Sequence, residues 1–249
     1  MENFSLYSKE FEFLFEENLR KFSEKIIKTD DPALIRKQYC LFFPSCEANS
    51  KKDVEFLIYG QATNGWKPKF TVKLHKKDLV REAIEYSNTT DKGEYCPLDW
   101  VNKRWNEQSI HASFFWNVIY KLINQYYQYP DDSHDWCKHM IWSNLMKISP
   151  AKGGNPYGIL WEFQFDGAKK LFLQELNEIH PKFVVILTNL DWAMDFLDDK
   201  SIFTMDSKGQ GKFIQAKGYY KNYSKVIVTK RPFMGNSNKC VEEILNLIK

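Results

Sequence analysis

The sequence lacks any apolar run that approaches the roughly 20 residues of a membrane-spanning helix. Its N-terminal stretch, MENFSLYSKEFEFLFEENLR, carries Glu and Lys among its apolar residues, which is not the pattern of a secretory signal peptide. These two features favour a cytoplasmic protein that has no membrane partner.

Cysteine is present, but without the spacing of a metal site or a redox motif. The five cysteines are odd in number and include no C-x-x-C pair, which argues against zinc-binding and thioredoxin-like sites. The five histidines show no metal-ligand spacing either. We therefore expect reduced thiols, no metal and no cofactor.

Strong charge of either sign is also lacking. The net charge is +3 and the pI is about 8.4, short of the basic character that by itself indicates nucleic-acid binding. Such a charge permits a DNA partner without requiring one. Aromatic residues are abundant at 16%, and they can either fill a core or provide stacking surface for bases.

Short apolar strands alternate with helices through most of the chain. The predicted strands are Val54 to Tyr59, Met140 to Ser143, Phe183 to Leu187 and Lys225 to Thr229. This alternation predicts an α/β fold of three layers (αβα), with a central, mostly parallel four-stranded sheet between helices. We expect a single domain over residues 1–249, with 1–50 as an N-terminal helical extension packed on it.

Polar residues follow the predicted strands at their carboxyl ends, where parallel sheets of this class bind ligands. The first strand runs into GQATNGW (60–66), the second into Asn144 and the last into Arg231. We expect these loops to converge on one pocket. The alternatives stay open: GQATNGW can be a plain turn, Asn144 a local capping residue and Arg231 a surface cation.

A loop rich in glycine and proline, PAKGGNPYG, occupies residues 150–158. It lacks the spacing of a Walker loop, and it is either a plain connection or a segment that suits a DNA backbone. Lys152 lies in this loop, and Lys147 precedes it as a structural or phosphate-facing cation.

Four motifs, in order, resemble the uracil-DNA glycosylase superfamily, especially the branch whose first motif reads G-E-A-P-G. GQAT at 60–63 corresponds to that motif, and SNLMKISP at 143–150 to T-N-x-x-K-x-x-P. NP at 155–156 corresponds to N-R-x-P, HPKFVV at 180–185 to the strand introduced by P-K-x-x-V, and RPF at 231–233 to H-P-S. The resemblance extends from about Val54 to the C-terminus.

The resemblance implies a DNA glycosylase, which flips a deaminated or damaged base out of DNA and hydrolyses its N-glycosidic bond. The implied catalytic residues, which position water or stabilise the leaving base, are Gln61, Asn64 and Arg231. The residues implied to line the base pocket are Gly60, Ala62, Thr63 and Asn144. The implied DNA contacts are Lys147, Lys152, Asn236 and the wedge residue Met234.

The sequence also departs from the resembled pattern. Thr63 replaces a proline, Arg231 replaces the histidine of H-P-S, and Ile148 replaces a cysteine of the iron–sulfur branch, so we expect no iron–sulfur cluster. Many members carry an Asp or Asn that orients the water at the position of Ala62. Ala62 and Arg231 therefore favour one alternative, a catalytically inactive nucleic-acid-binding protein of the same fold. Another alternative is a protein that binds a small nucleobase or nucleoside without DNA.

Overall fold

The computed structural model describes residues 7–46, 51–63, 65–73, 76–88, 98, 101, 113–130, 133, 135–206, 211–232 and 236–249. The chain divides into two compact units. Unit 1 comprises Met1–Pro44, Gln61–Thr89 and Asn144–Ile179, and unit 2 comprises Ser45–Gly60, Thr90–Ser143 and His180–Lys249. The single domain expected over residues 1–249 stays a prediction.

Helices and strands alternate along the described chain. In order, they are α1 (Lys9–Lys28), α2 (Pro32–Arg36), β1 (Tyr39–Leu41), β2 (Ser45–Cys46), β3 (Phe56–Gly60), β4 (Lys69–Phe70), α3 (Lys76–Asn88), α4 (Phe114–Tyr127), β5 (Met140–Asn144), β6 (Ile148–Pro150), α5 (Ile159–Ile179), β7 (Phe183–Ile186), α6 (Leu190–Ala193), β8 (Phe203–Asp206), β9 (Ile214–Tyr220), β10 (Ser224–Thr229) and α7 (Ser237–Ile248). Within this part of the chain, none of the helices has both the length and the apolar character of a membrane span.

A seven-stranded mixed sheet forms the centre of unit 2, in the order β2-β5-β3-β7-β10-β9-β8. β7 pairs in parallel with both β3 and β10, whereas β9 is antiparallel to both β8 and β10. The α/β class predicted from the sequence is confirmed. The four predicted strands lie side by side as β5, β3, β7 and β10. Each of them is an apolar run of the kind that is buried on both faces of a sheet.

The sheet also contains three strands that the sequence analysis did not predict. β8 and β9 alternate between buried and more exposed positions, and β2 has only two residues. None of these three strands is a continuous apolar run, the pattern that is typical of strands buried on both faces, so that pattern could not predict them.

Unit 1 combines a small sheet with long helices. Its antiparallel sheet has the order β4-β1-β6, so that β1 from the N-terminal segment is the middle strand. α1 begins at an N-cap, where the Ser8 hydroxyl accepts a hydrogen bond from the Phe11 N–H at 3.2 Å. α1 packs on α5 at Gly167, where a Cβ atom would clash with the Asn18 side chain, so the close approach favours glycine.

Candidate functional site

The residues predicted to form the site are divided between the two units. Unit 1 contains Gln61, Ala62, Thr63, Asn144, Lys147 and Lys152. Unit 2 contains Gly60, Arg231 and Asn236. The remaining two, Asn64 and Met234, lie outside the described residues.

Within unit 1, the segment after β3 contacts the segments after β5 and β6. The Met146 N–H donates to the Gln61 carbonyl oxygen at 3.0 Å. The Asn155 side-chain amide donates to Gln61 Oε1 at 2.9 Å and to the Tyr157 hydroxyl at 3.0 Å. Gln61 is 7% exposed. These bonds join the first and second motifs of the sequence in one hydrogen-bonded network.

Thr63 is held by a buried cluster of hydroxyl and thiol groups. Cys40 and Ser149 are cross-strand partners in β1 and β6, and their Sγ and Oγ atoms lie 3.0 Å apart. Ser149 donates its hydroxyl proton to the Thr63 carbonyl oxygen at 2.8 Å. Because a serine hydroxyl has one proton, Thr63 Oγ1, at 3.2 Å, and Cys40 Sγ must be the donors toward Ser149 Oγ. The cluster fixes the backbone at Thr63.

Asn144 ends β5 and has an unpaired buried donor. The residue is 2% exposed, and its Nδ2 has no hydrogen-bond partner within the described part of the chain. An unsatisfied buried polar group costs about 1–3 kcal/mol, and such groups are rare in folded proteins. Asn18 and Asn124 also have unpaired buried amide atoms, but both lie within helices. Asn144 alone among these three is at a strand end.

Lys147 forms a buried ion pair with Glu175 of α5. The Lys147 Nζ and Glu175 Oε1 atoms are 2.9 Å apart, and both side chains are 0% exposed. Nζ also donates to the Asn144 carbonyl oxygen at 2.8 Å. Burial lowers the pKa of Lys147 below its usual value, while the facing Glu175 carboxylate acts in the opposite direction.

This placement corrects the prediction that Lys147 contacts phosphate. Its ammonium group is enclosed and paired with a carboxylate. Of the two roles considered for Lys147, a structural cation or a phosphate-facing cation, the structural role applies. Lys147 supports the backbone of Asn144 from within unit 1. Lys152, by contrast, is exposed, and its phosphate contact stays a prediction.

Glu175, Gln164 and Tyr157 are among the residues around this site that were not identified as site residues from the sequence. Glu175 and Gln164 lie in α5 and carried no motif signal, although Gln164 accepts from the Ile148 N–H at 3.0 Å and donates to the Ile148 carbonyl at 2.8 Å. Tyr157 is 64% exposed and lies in the loop PAKGGNPYG. An aromatic residue in an otherwise polar loop is the feature by which Tyr157 could have been found from the sequence.

In unit 2, Arg231 follows β10 and is positioned by Asn189, which follows β7. The Arg231 N–H donates to Asn189 Oδ1 at 2.6 Å, and the Asn189 N–H donates to the Thr229 carbonyl at 3.0 Å. Asn189 has φ +83° and ψ 153°, a conformation that is essentially restricted to glycine and costs about 1–3 kcal/mol. The Arg231 side chain is exposed, and its backbone is fixed by a strained residue.

The other two predicted residues of unit 2 are at element ends. Gly60 is the buried last residue of β3, and Asn236 occupies the N-cap position of α7 without a side-chain capping bond. Among the residues that the structure describes, no group of three or more His, Cys, Asp or Glu side chains is arranged to hold a metal ion.

Together, the fold and these contacts define an α/β protein with polar, hydrogen-bonded segments at its strand ends. No model of a known protein family matches the chain, and no curated protein matches it either.

Proposed function

We propose that this protein is a DNA glycosylase with the three-layer fold of the uracil-DNA glycosylase superfamily. It recognises a flipped, deaminated or damaged base and hydrolyses its N-glycosidic bond. The observation that carries the proposal is the unpaired, buried amide donor of Asn144 at the end of β5. Asn144 is also the residue that the resemblance assigns to reading the edge of the base.

The proposed chemistry requires a donor at the base. The bond between C1′ and the base nitrogen breaks, and its electron pair leaves with the base, while a water oxygen bonds to C1′ and passes one proton to the solvent. A donor that faces a base oxygen interacts more strongly as negative charge develops there. Asn144 Nδ2 is suited to this role because it is preorganised and shielded from solvent.

Water placement falls to Gln61 or Asn64, because Ala62 occupies the position at which many members of the resembled superfamily carry an Asp or Asn that orients the water. The hydrogen bond from Asn155 to Gln61 Oε1 fixes the orientation of the Gln61 amide. Arg231 is assigned to stabilising the leaving base, since a guanidinium group keeps its charge and offers several donors. In this proposal, Ala62 and Thr63 line the base pocket beside Gly60.

One observation favours a second function, nucleic-acid binding without catalysis. Of the described residues with predicted catalytic or base-binding roles, none is a carboxylate or a histidine, the side chains that most often accept a proton from water. A protein of this kind would bind DNA and leave the glycosidic bond intact.

Base release from labelled oligonucleotides tests the proposal. The panel contains uracil, hypoxanthine, xanthine and mismatched thymine, each in single and double strands. We expect release of at least one base, and a large loss of activity in Arg231→Ala that Arg231→Lys restores in part. DNA binding that depends on salt, without any release, would favour the second function. Stabilisation by free bases but not by DNA would indicate a nucleobase-binding protein.

A further inference from the structure

A basic pocket lies in unit 1 between α2 and the loop that follows β6. Its volume is about 520 Å³, and its lining residues are Ala33, Arg36, Lys37, Gln38, Pro150 and Lys152. Two of these residues belong to α2, two follow it and two come from the end of β6 and its loop. The N-terminal segment and the loop PAKGGNPYG therefore both line the pocket.

The walls of the pocket are held by backbone hydrogen bonds. β1 and β6 pair with Tyr39 opposite Pro150, and the Ala151 N–H donates to the Gln38 carbonyl at 3.0 Å. The Tyr39 hydroxyl donates to the Leu34 carbonyl at 2.9 Å, which fixes α2 on the same strand. Arg36 and Lys37 are thus presented on a framework that also carries Lys152.

The charged residues that line this pocket are all cations. Arg36, Lys37 and Lys152 line it, and none of the lining residues that the structure describes is acidic. No carboxylate of the described residues forms an ion pair with these three cations. Other cations of unit 1 differ, since Arg20 and Lys21 each pair with a glutamate at 2.8 Å. Three clustered cations without a carboxylate partner are suited to binding an anionic ligand.

An exposed aromatic ring lies in the same loop as one of these cations. Lys152 and Tyr157 both belong to PAKGGNPYG, and the Tyr157 ring is oriented by the hydrogen bond from Asn155. Surfaces that bind single-stranded nucleic acid combine backbone-tracking cations with aromatic rings on which bases stack. This combination favours a nucleic-acid strand over an isolated phosphate ion.

We propose that the basic pocket of Arg36, Lys37 and Lys152 binds phosphodiester groups of a single-stranded nucleic acid, and that the exposed Tyr157 ring of the same loop contacts the same strand. The inference rests on the proposed function for its choice of nucleic acid, and it gives the N-terminal segment a role in holding the substrate strand. No base recognition is required of this pocket, because phosphate contacts position a strand without reading its sequence.

The test measures binding of a lesion-free single-stranded oligonucleotide as a function of salt, so it does not depend on base release. The variant is Arg36→Ala/Lys37→Ala/Lys152→Ala. The matched control, Lys77→Ala/Lys28→Ala/Lys170→Ala, removes three exposed cations of the same unit and lowers the formal net charge of +3 by the same amount. Melting curves check that both proteins fold.

Each phosphate contact contributes about 0.7 to the slope of log K against log salt for a single strand. The pocket variant should therefore reduce this slope by about 2, whereas the control should leave it within about 0.5 of the wild-type slope. Equal slopes for the two triple variants would overturn the inference, as would a wild-type protein that does not bind the oligonucleotide.

Two further comparisons separate the possible failures. If inorganic phosphate, compared with chloride at equal ionic strength, stabilises the wild type but not the pocket variant, while oligonucleotide binding is unchanged, the pocket binds free phosphate and the inference is overturned. If the wild type shows the expected slope but releases no base, the pocket stands and the glycosylase proposal fails.

Discussion

Replacing Lys147 with Met should strongly destabilise the protein, because it leaves the Glu175 carboxylate buried without its partner. Both side chains are 0% exposed and their charged atoms are 2.9 Å apart. Removing one partner of a fully buried ion pair costs about 3–5 kcal/mol. The lost hydrogen bond to the Asn144 carbonyl is part of the same perturbation and is not added separately.

Replacing both members should recover most of this loss. In Lys147→Met/Glu175→Met no charge remains buried, and apolar replacements of buried pairs of similar volume are often neutral or stabilising by about 1–4 kcal/mol. We expect the double variant to be within about 1 kcal/mol of the wild type or more stable. The difference in unfolding free energy between the single and the double variant measures the cost of leaving the Glu175 carboxylate buried without its partner.

Urea unfolding followed by far-UV circular dichroism gives these free energies. The control is Arg20→Met, which breaks a pair of similar length, 2.8 Å, whose side chains are 53% and 49% exposed. Exposed pairs at this helical spacing contribute about 0.3–0.5 kcal/mol, so the control should lose less than 1 kcal/mol. A Lys147→Met variant that loses no more than the control would refute the reasoning.

Two more predictions concern unit 2. Burial, together with the charge of Glu243, raises the pKa of Cys240 to about 12. This thiol contributes stability below its unfolded pKa of roughly 8.5, and that stability is lost as pH rises toward the folded value, by at most about 1.4 kcal/mol per pH unit. Urea unfolding at pH 7.5, 8.5 and 9.5 should show a shallower decline for Cys240→Ala, and parallel declines would contradict this. At Asn189, glycine should be more stable than alanine by about 1 kcal/mol, because both remove the side-chain acceptor but only glycine relieves the positive φ. Equal melting temperatures for these two variants would show that the backbone there is unstrained.

Much of the sheet could be predicted because burial on both faces leaves a clear pattern. β3 has five consecutive buried residues, and β7 and β10 show the same continuous apolar character. β9 could not be found in this way, since its sequence IQAKGYY alternates and includes a lysine and a glycine. An antiparallel strand near a sheet edge needs pairing information that a local pattern does not contain.

The candidate site was predictable only where it coincides with a strand end. Gln61 and Asn144 directly follow or end apolar strands, and the structure places both in buried, polar surroundings. The partner of Lys147 could not be predicted, because Glu175 lies 28 positions away in a helix with no motif. Similarly, Asn155 contacts Gln61 across 94 positions, a contact that depends on tertiary folding.

The most direct test of the central claim is the single-turnover rate of base release by Asn144→Ala on the best substrate of the panel. Losing one preorganised donor to a developing oxyanion costs about 10²–10³-fold in rate. Asn124→Ala is the matched control, because Asn124 is a buried asparagine with an unpaired side chain in a helix of unit 2.

We predict a loss of about 100-fold or more for Asn144→Ala and a rate within about threefold of the wild type for Asn124→Ala, provided that both variants stay folded. Equal rates for the wild type and Asn144→Ala would contradict the claim that this amide stabilises the leaving base. Absence of base release by the wild-type protein on every substrate of the panel would contradict the glycosylase function itself.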